Sequence, residues 1–150
     1  MKKEKWLVPT VVVVTTALLV FAVMSASAVY DYFFPMAAPI VCPNEEDIAS
    51  ISLTHNSDPS AVIEISDFGY ILQSIRTAQP TRNWSVQDYP AAENYYTVEI
   101  KTSAAQDRCF RYFVYAEGSQ VYLESPYEGV YKVDQQLLDL LKDSFKDQAN

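Results

Sequence analysis

The longest apolar run lies near the start of the chain. Residues 6–24 carry no charged side chain, and the uncharged stretch continues to Tyr30. At about 1.5 Å of rise per helical residue, residues 6–24 nearly cross a hydrocarbon core about 30 Å thick. The pattern predicts a short tail over residues 1–5 and a transmembrane anchor over residues 6–30.

The residues around this run predict its orientation. Lys2, Lys3 and Lys5 precede it, and the positive-inside bias then places the N-terminal tail in the cytoplasm and the rest of the chain outside. The alternative is a secretory signal cleaved near Ala28, because residues 26–28 are small as at a cleavage site. The run is longer than the roughly 7 to 15 apolar residues of a signal core, and aromatic residues follow it, which favours a retained anchor.

A proline-containing stretch separates the apolar run from the first regular pattern. Pro35, Pro39 and Pro43 are followed by the polar residues 44–47. Prolines at such intervals favour an extended chain. We expect residues 31–47 to be a spacer, and residues 48–150 to form one extracytoplasmic domain.

Hydrophobic periodicity in residues 48–150 predicts five or six strands and two helices. Alternating or continuous apolar patterns typical of strands occur at 48–55, 61–66, 95–102, 109–117, 120–124 and 129–133. Helical spacing occurs twice, at Phe68, Ile71, Leu72 and Ile75 and at Leu137, Leu138, Leu141 and Phe145. We expect Ser66 or Asp67 to cap the first of these helices, Pro80 to stop it, and Asp134 to cap the second.

The predicted order is β-β-α-β-β-β-α. Such an order is typical of an α+β domain in which an antiparallel sheet of about five or six strands carries its two helices on one face. The transmembrane helix precedes this domain.

Two irregular segments stand out. Residues 80–94 form a connection of about 15 residues, longer than the usual 4 to 6, and such a connection is either a functional loop or a packed Ω-type loop. Residues 126–129, Pro-Tyr-Glu-Gly, predict a turn in which Gly129 supplies a positive φ. The sequence leaves open whether Tyr127 and Glu128, at the tip of this turn, face the long loop at Arg82 to Asp88.

Charge narrows the range of partners. Residues 43–150 carry 17 acidic and 8 basic side chains, a net charge of −9. An acidic domain repels phosphate backbones, so nucleic acid is not expected as a partner.

Residues suited to catalysis, cofactors or metals are few. His55 is the single histidine and is expected at a turn, and the three glycines form no phosphate-binding loop. The acidic candidates for a calcium site, Asp88, Glu93, Glu124 and Glu128, lack the alternating spacing of calcium loops. No cofactor and no metal are predicted.

The two cysteines, Cys42 and Cys109, leave one covalent question open. Outside the membrane they can pair, and a disulfide closing so large a loop would stabilise the domain by about 4 kcal/mol. The alternative is two free thiols.

Several stretches carry a family resemblance. They are "DIASISL", "IEISD", "AQPTRNWSVQDYP", "YYTVEI" and "YFVYAEGSQVYLESPYEGVYKV". Over about residues 47–141 the chain resembles the domain-of-unknown-function family 5301, small extracytoplasmic proteins of Gram-positive bacteria anchored at the N-terminus. The most specific matches are residues 80–82, Ser85-Val86 with Asp88, and residues 126–129. The resemblance implies a location and a domain type, and no reaction.

Two hypotheses of function follow. The first is a non-catalytic binding module at the cell envelope that recognises an envelope protein or cell-surface ligand, since aromatic and arginine side chains anchor interfaces. Its candidate binding residues are Arg82, Trp84, Ser85, Asp88, Tyr127 and Glu128. The second is an envelope hydrolase that uses carboxylates such as Asp88 or Glu128.

Overall fold

The computed structural model describes residues 4–103 and 108–147, which divide into two units. The first unit contains one helix, α1, at Glu4–Phe33. Its residues Val11–Phe33 form a stretch long and apolar enough to cross a membrane, a property that signal sequences share. The prediction of an N-terminal apolar helix is therefore confirmed.

The second unit, which begins at Met36, is built around one antiparallel sheet. Its strands are β1 (Ile48–His55), β2 (Asp58–Ile65), β3 (Gln79–Pro80), β4 (Tyr96–Thr102), β5 (Cys109–Glu117), β6 (Gln120–Ser125) and β7 (Gly129–Val133). Its α-helices are α2 (Gly69–Arg76) and α3 (Gln135–Asp147). The strands lie in the order β2-β1-β4-β5-β6-β7-β3, and every neighbouring pair is antiparallel.

The α+β class with an antiparallel sheet is confirmed, and the structure adds a seventh strand to the five or six expected. This strand, β3, has only two residues and pairs Gln79 with Lys132 and Pro80 with Tyr131 at the edge of the sheet. Proline lacks the N–H needed inside a sheet and is tolerated at an edge. Pro80 therefore lies in an edge strand just beyond the helix it was expected to stop.

One face of the sheet carries the hydrophobic core, because alternate residues of a strand point to the same side. The buried strand residues of this core are Ile51, Leu53, Ile63, Val98, Ile100, Tyr112, Val114, Val121, Leu123, Tyr131 and Val133. The helices cover them with Ile71, Leu72 and Ile75 from α2 and Leu137, Leu138 and Leu141 from α3. Both predicted helical stripes are confirmed. We call this side of the sheet the helix face and the opposite side the loop face.

The two helices begin differently. At α3 the Asp134 carboxylate accepts the Leu137 backbone N–H at 2.9 Å, as predicted for a cap. It also accepts the Tyr70 hydroxyl at 2.8 Å, which links α2 to α3. The expected Ser66 or Asp67 cap of α2 is wrong: Phe68 is the N-cap residue and makes no side-chain capping bond. Packing of Phe68 against the core fixes this helix end instead.

The expected spacer over residues 31–47 is not free along its length. Residues 36–43, which we call the docked segment, lie on the domain. The Ala37 N–H donates to the Thr81 carbonyl at 2.8 Å, the Tyr131 hydroxyl donates to the Ala38 carbonyl at 2.7 Å, and the Tyr112 hydroxyl donates to the Val41 carbonyl. Arg76 donates to the Pro43 carbonyl at 2.9 Å. The prolines keep this segment extended, and the tyrosines of the sheet satisfy its carbonyls.

Candidate functional site

The long connection after β3 is a packed loop on the loop face of the sheet. Tyr89 and Tyr95 both pack against Phe113 of β5, with ring centroids 5.8 and 5.3 Å apart. Phe113 is buried although it points away from the helices. The loop is therefore packed, as in an Ω-type loop, and covers part of the sheet.

A buried carboxylate anchors this loop. Glu124 of β6 is 7% exposed and lies directly opposite Phe113 in the ladder. It accepts the Ser85 hydroxyl at 2.7 Å and the Tyr115 hydroxyl at 3.2 Å. Burial, together with the negative charge of Glu124, raises the pKa of Tyr115. Ser85 is itself buried, so this predicted binding residue holds the loop in place instead of facing solvent.

Sequence reasoning missed this pairing. The alternation of β6 puts Val121 and Leu123 on the helix face, which assigns Glu124 to the other face. Nothing in that alternation indicates that a loop 39 residues earlier in the chain supplies the hydroxyl that pairs with it. The signal was a glutamate directly after the core residue Leu123, where a buried charge requires partners.

The turn between β6 and β7 presents Tyr127 in an unusual backbone conformation. Tyr127 has a φ of 62°, a region that glycine tolerates and tyrosine rarely adopts. Two contacts with the loop hold it: its N–H donates to Ser85 Oγ at 3.3 Å, and its hydroxyl donates to Asp88 Oδ1 at 2.5 Å. The hydrogen bond to Asp88 raises the pKa of Tyr127.

Gly129 does not have the positive φ that the sequence predicted for it. Within the described residues, the positive-φ positions are Tyr127 and Gly118, the latter in the β5–β6 hairpin. Glycine is needed at position 129 for another reason. A Cβ added there would lie 2.5 Å from the Cβ of Ala37, so the docked segment approaches the backbone too closely for a side chain.

Loop, turn and strand together line an open cavity of about 440 Å³. Asp88 lines it from the loop, Tyr127 and Glu128 from the turn, and Cys109 and Arg111 from β5. Glu128 accepts the Ser125 hydroxyl at 2.6 Å, and Arg111 pairs with Glu99 at 2.6 Å. The turn therefore faces the loop, which answers the question that the sequence left open, and the cavity lies where they meet.

The six predicted binding residues divide into two groups. Ser85, Asp88, Tyr127 and Glu128 come together around the turn. Arg82 and Trp84 lie at the start of the loop and do not line the cavity. The Thr81 N–H and hydroxyl both donate to the Val130 carbonyl of β7, and the Val130 N–H donates to the Asn83 carbonyl. Trp84 is 54% exposed.

Both cysteines are free thiols in the structure. Cys42 is half-buried in the docked segment, and burial raises the pKa of its thiol. Cys109 is exposed and lines the cavity. The structure thus has the free-thiol alternative instead of the Cys42–Cys109 disulfide.

His55 has packing and hydrogen-bond partners at the end of β1. The His55 ring packs against Tyr96, with centroids 4.5 Å apart, and its Nδ1 lies 2.6 Å from Ser57 Oγ. Within residues 4–103 and 108–147, no group of three His, Cys, Asp or Glu side chains is placed to hold a metal ion.

The chain is similar to one solved domain. An NMR structure of a protein from Ruminococcus gnavus matches with a TM-score of 0.53 and 28% sequence identity, over 67% of this chain and 99% of the other. A comparison with curated proteins gives no match. The sequence model of DUF5301, described as a domain of unknown function, matches residues 36–132, a range that includes the docked segment, the loop and the turn. The chain belongs to the family DUF5301.

Proposed function

We propose that this protein is a binding module held at the outer side of a cell membrane by α1, and that it recognises an envelope protein through the loop and the turn. The length and apolar character of α1 support anchoring. Lys2, Lys3 and Lys5, which precede the apolar stretch, support an outward-facing domain.

The recognition surface consists of exposed apolar side chains from two adjacent segments. Trp84, Val86 and Tyr89 of the loop and Tyr127 of the turn are each more than half exposed. Tryptophan and tyrosine anchor protein interfaces because they offer large contact areas with few rotatable bonds, and clustered exposed apolar residues are typical of interaction sites.

The conformation of Tyr127 is the observation that carries this proposal. A positive φ costs a non-glycine residue on the order of 1 kcal/mol or more. Tyr127 adopts this conformation although the residue is 63% exposed to solvent. Glycine would adopt this φ without strain. Binding gives the strained tyrosine a reason to be present, because its ring is held in place before a partner arrives.

The two cavity carboxylates fit recognition better than hydrolysis. Asp88 accepts the Tyr127 hydroxyl, and Glu128 accepts the Ser125 hydroxyl. Each of these carboxylates therefore already has a structural partner, whereas an acid or base catalyst needs to reach a substrate proton. We infer a non-catalytic role on this basis.

Photo-crosslinking in living cells tests the proposal. A benzophenone amino acid replaces Trp84 in the full chain, and the matched control carries it at Val62 of β2, which is 56% exposed at the far edge of the sheet. We expect a discrete crosslinked protein from position 84 and none from position 62.

Equal labelling at the two positions would mean that contacts at the loop are random. Such a result, or no crosslink from position 84 or from a second probe at Val86, would overturn the proposal.

A further inference from the structure

Strand β5 extends beyond its neighbour on one side. On the β4 side its pairing runs from Val114 to Cys109. On the β6 side it stops at Phe113, opposite Glu124, because the chain turns at residues 126–128. Among the described residues, Cys109–Tyr112 thus have a strand partner on one side only.

The alternation of the ladder shows which backbone groups point to the open side. In an antiparallel pair, residues that exchange hydrogen bonds alternate with residues whose groups point away. The Thr102 N–H donates to the Arg108 carbonyl at 2.9 Å, so Arg108, Phe110 and Tyr112 bond towards β4. The N–H and C=O groups of Cys109 and Arg111 therefore point towards the β6 side, where β6 has ended.

These backbone groups face the cavity described above. Cys109–Tyr112 form one wall, and Ser125–Glu128 form the other. The volume, about 440 Å³, falls in the range of ligand-binding pockets. An open strand edge beside such a cavity can pair with an extended peptide, which would gain main-chain hydrogen bonds along the edge.

The walls also indicate the charge of the peptide. Asp88 and Glu128 line the cavity, and the positive charge of Arg111 is paired with Glu99. The chain as a whole carries a net charge of −8. A segment with lysine or arginine side chains therefore complements the cavity, and the Tyr127 ring offers a face for a cation.

We propose that the open edge of β5 at Cys109–Tyr112 binds an extended basic segment of a partner protein as an added antiparallel strand. The inference rests on the proposed binding function and specifies how the partner is held. A second copy of this chain fits poorly, because its long edge strand β2 carries Asp58 and Glu64 and no basic residue.

Hydrogen–deuterium exchange on the full chain in detergent micelles tests the inference with synthetic peptides. The probe is acetyl-Lys-Val-Lys-Val-Lys-amide. One control replaces each lysine with glutamate, and a second keeps the lysines but methylates the backbone nitrogens. We expect only the first peptide to slow exchange at the amides of Cys109 and Arg111, with an affinity about tenfold or more above either control.

Two substitutions at Arg111 distinguish the contribution of its backbone N–H to peptide binding from that of its side chain. Arg111→Pro removes an N–H that makes no bond to β4, and we expect it to abolish binding of the lysine peptide while the domain still unfolds cooperatively. Arg111→Ala keeps the N–H and removes a positive charge, so it is expected to bind the peptide more tightly.

Asp88→Asn is expected to weaken binding, whereas Glu64→Gln on β2 makes the same charge change far from the cavity and serves as the control.

The results distinguish this inference from the proposed function. Equal protection by the lysine and N-methylated peptides, or none by either, would overturn strand addition without depending on any variant. If a partner crosslinks at position 84 and Arg111→Pro leaves its yield unchanged, the binding module stands and strand addition is wrong. If the lysine peptide alone protects Cys109 and Arg111, the inference is supported even where no cellular partner is captured.

Discussion

The two faces of the sheet are covered by layers of different character. On the helix face, α2 and α3 bury side chains such as Ile75 and Leu141 that contain no polar atoms. On the loop face, a single irregular loop is held by the Ser85–Glu124 pair and by tyrosine contacts to Phe113. The helix layer is stabilised by close packing and buried apolar area. The loop layer is stabilised by a few specific hydrogen bonds and aromatic contacts. Stability therefore lies mainly on the helix face, and the recognition that we propose lies on the loop face.

The largest effect is expected where the helix layer loses a core side chain. Leu137 is fully buried, so Leu137→Ala should lower the free energy of unfolding by about 2–5 kcal/mol through lost burial and the remaining cavity. Urea denaturation of the domain measures this. Val62→Ala, on an exposed position, is the control and should change stability by less than about 0.5 kcal/mol. Similar losses in both variants would contradict the assignment of the core.

The loop layer should respond to loss of a single hydroxyl. Ser85→Ala leaves the buried Glu124 carboxylate with one fewer donor, and we expect a loss of about 1.5–3 kcal/mol, since bonds to charged groups are the stronger ones. The matched control is Ser60→Ala, which removes an exposed hydroxyl bonded to Asp58 at 2.6 Å. If both variants lose the same stability, burial of Glu124 is not what makes the Ser85 bond important.

The docked segment should be sensitive to one methyl group. Gly129→Ala places a Cβ against Ala37, so we expect a loss of about 1–3 kcal/mol and faster proteolysis within residues 36–43. Ala37→Gly removes the opposing Cβ, and the double variant should recover most of the loss. Without that recovery, the contact with Ala37 is not the reason for glycine at position 129.

The smallest expected effect is a loss of stability at high pH, to which a tyrosine on each face contributes. Burial raises the pKa of Tyr112 on the helix face, and burial with the Glu124 charge raises that of Tyr115 on the loop face. Because the folded pKa values lie above the unfolded value of about 10, both residues contribute stability that is complete below pH 10 and is lost as pH rises through the folded values.

Urea midpoints at pH 8 and pH 11, read by tryptophan fluorescence, measure this loss. Tyr112→Phe should lose less stability between the two pH values than the unchanged protein. An identical dependence on pH in both proteins would show that Tyr112 does not titrate differently on folding.

The sequence predicted the parts of the fold that depend on local pattern. Strand alternation located the strands other than β3, helical spacing located both stripes, and the Asp134 cap is confirmed because its partner Leu137 is three residues away. The docking of residues 36–43 was not predicted, because the contacts join residues far apart in sequence. Tyr112 lies 71 residues from Val41, and Tyr131 lies 93 residues from Ala38.

The candidate site shows the same division. Its residues could be named from composition and turn chemistry, but the sequence left open whether Tyr127 meets the loop at Asp88. The role of Ser85 and the strain at Tyr127 could not be predicted, because both depend on where the loop lies in three dimensions. Turn chemistry favoured glycine for the positive φ, and the close approach of Ala37 gave Gly129 a different role.

Tyr127→Gly provides the most direct test of the claim that the loop face is built for recognition. Glycine relieves the backbone strain at a φ of 62° and removes the ring and its bond to Asp88. We expect the free energy of unfolding to change by less than about 1 kcal/mol, because the relief offsets the lost exposed hydrogen bond. The measurement is the yield of photo-crosslinking from position 84 in this variant. Our account predicts that the crosslink is lost from a protein as stable as the original, and a yield equal to that of the unchanged protein would contradict it.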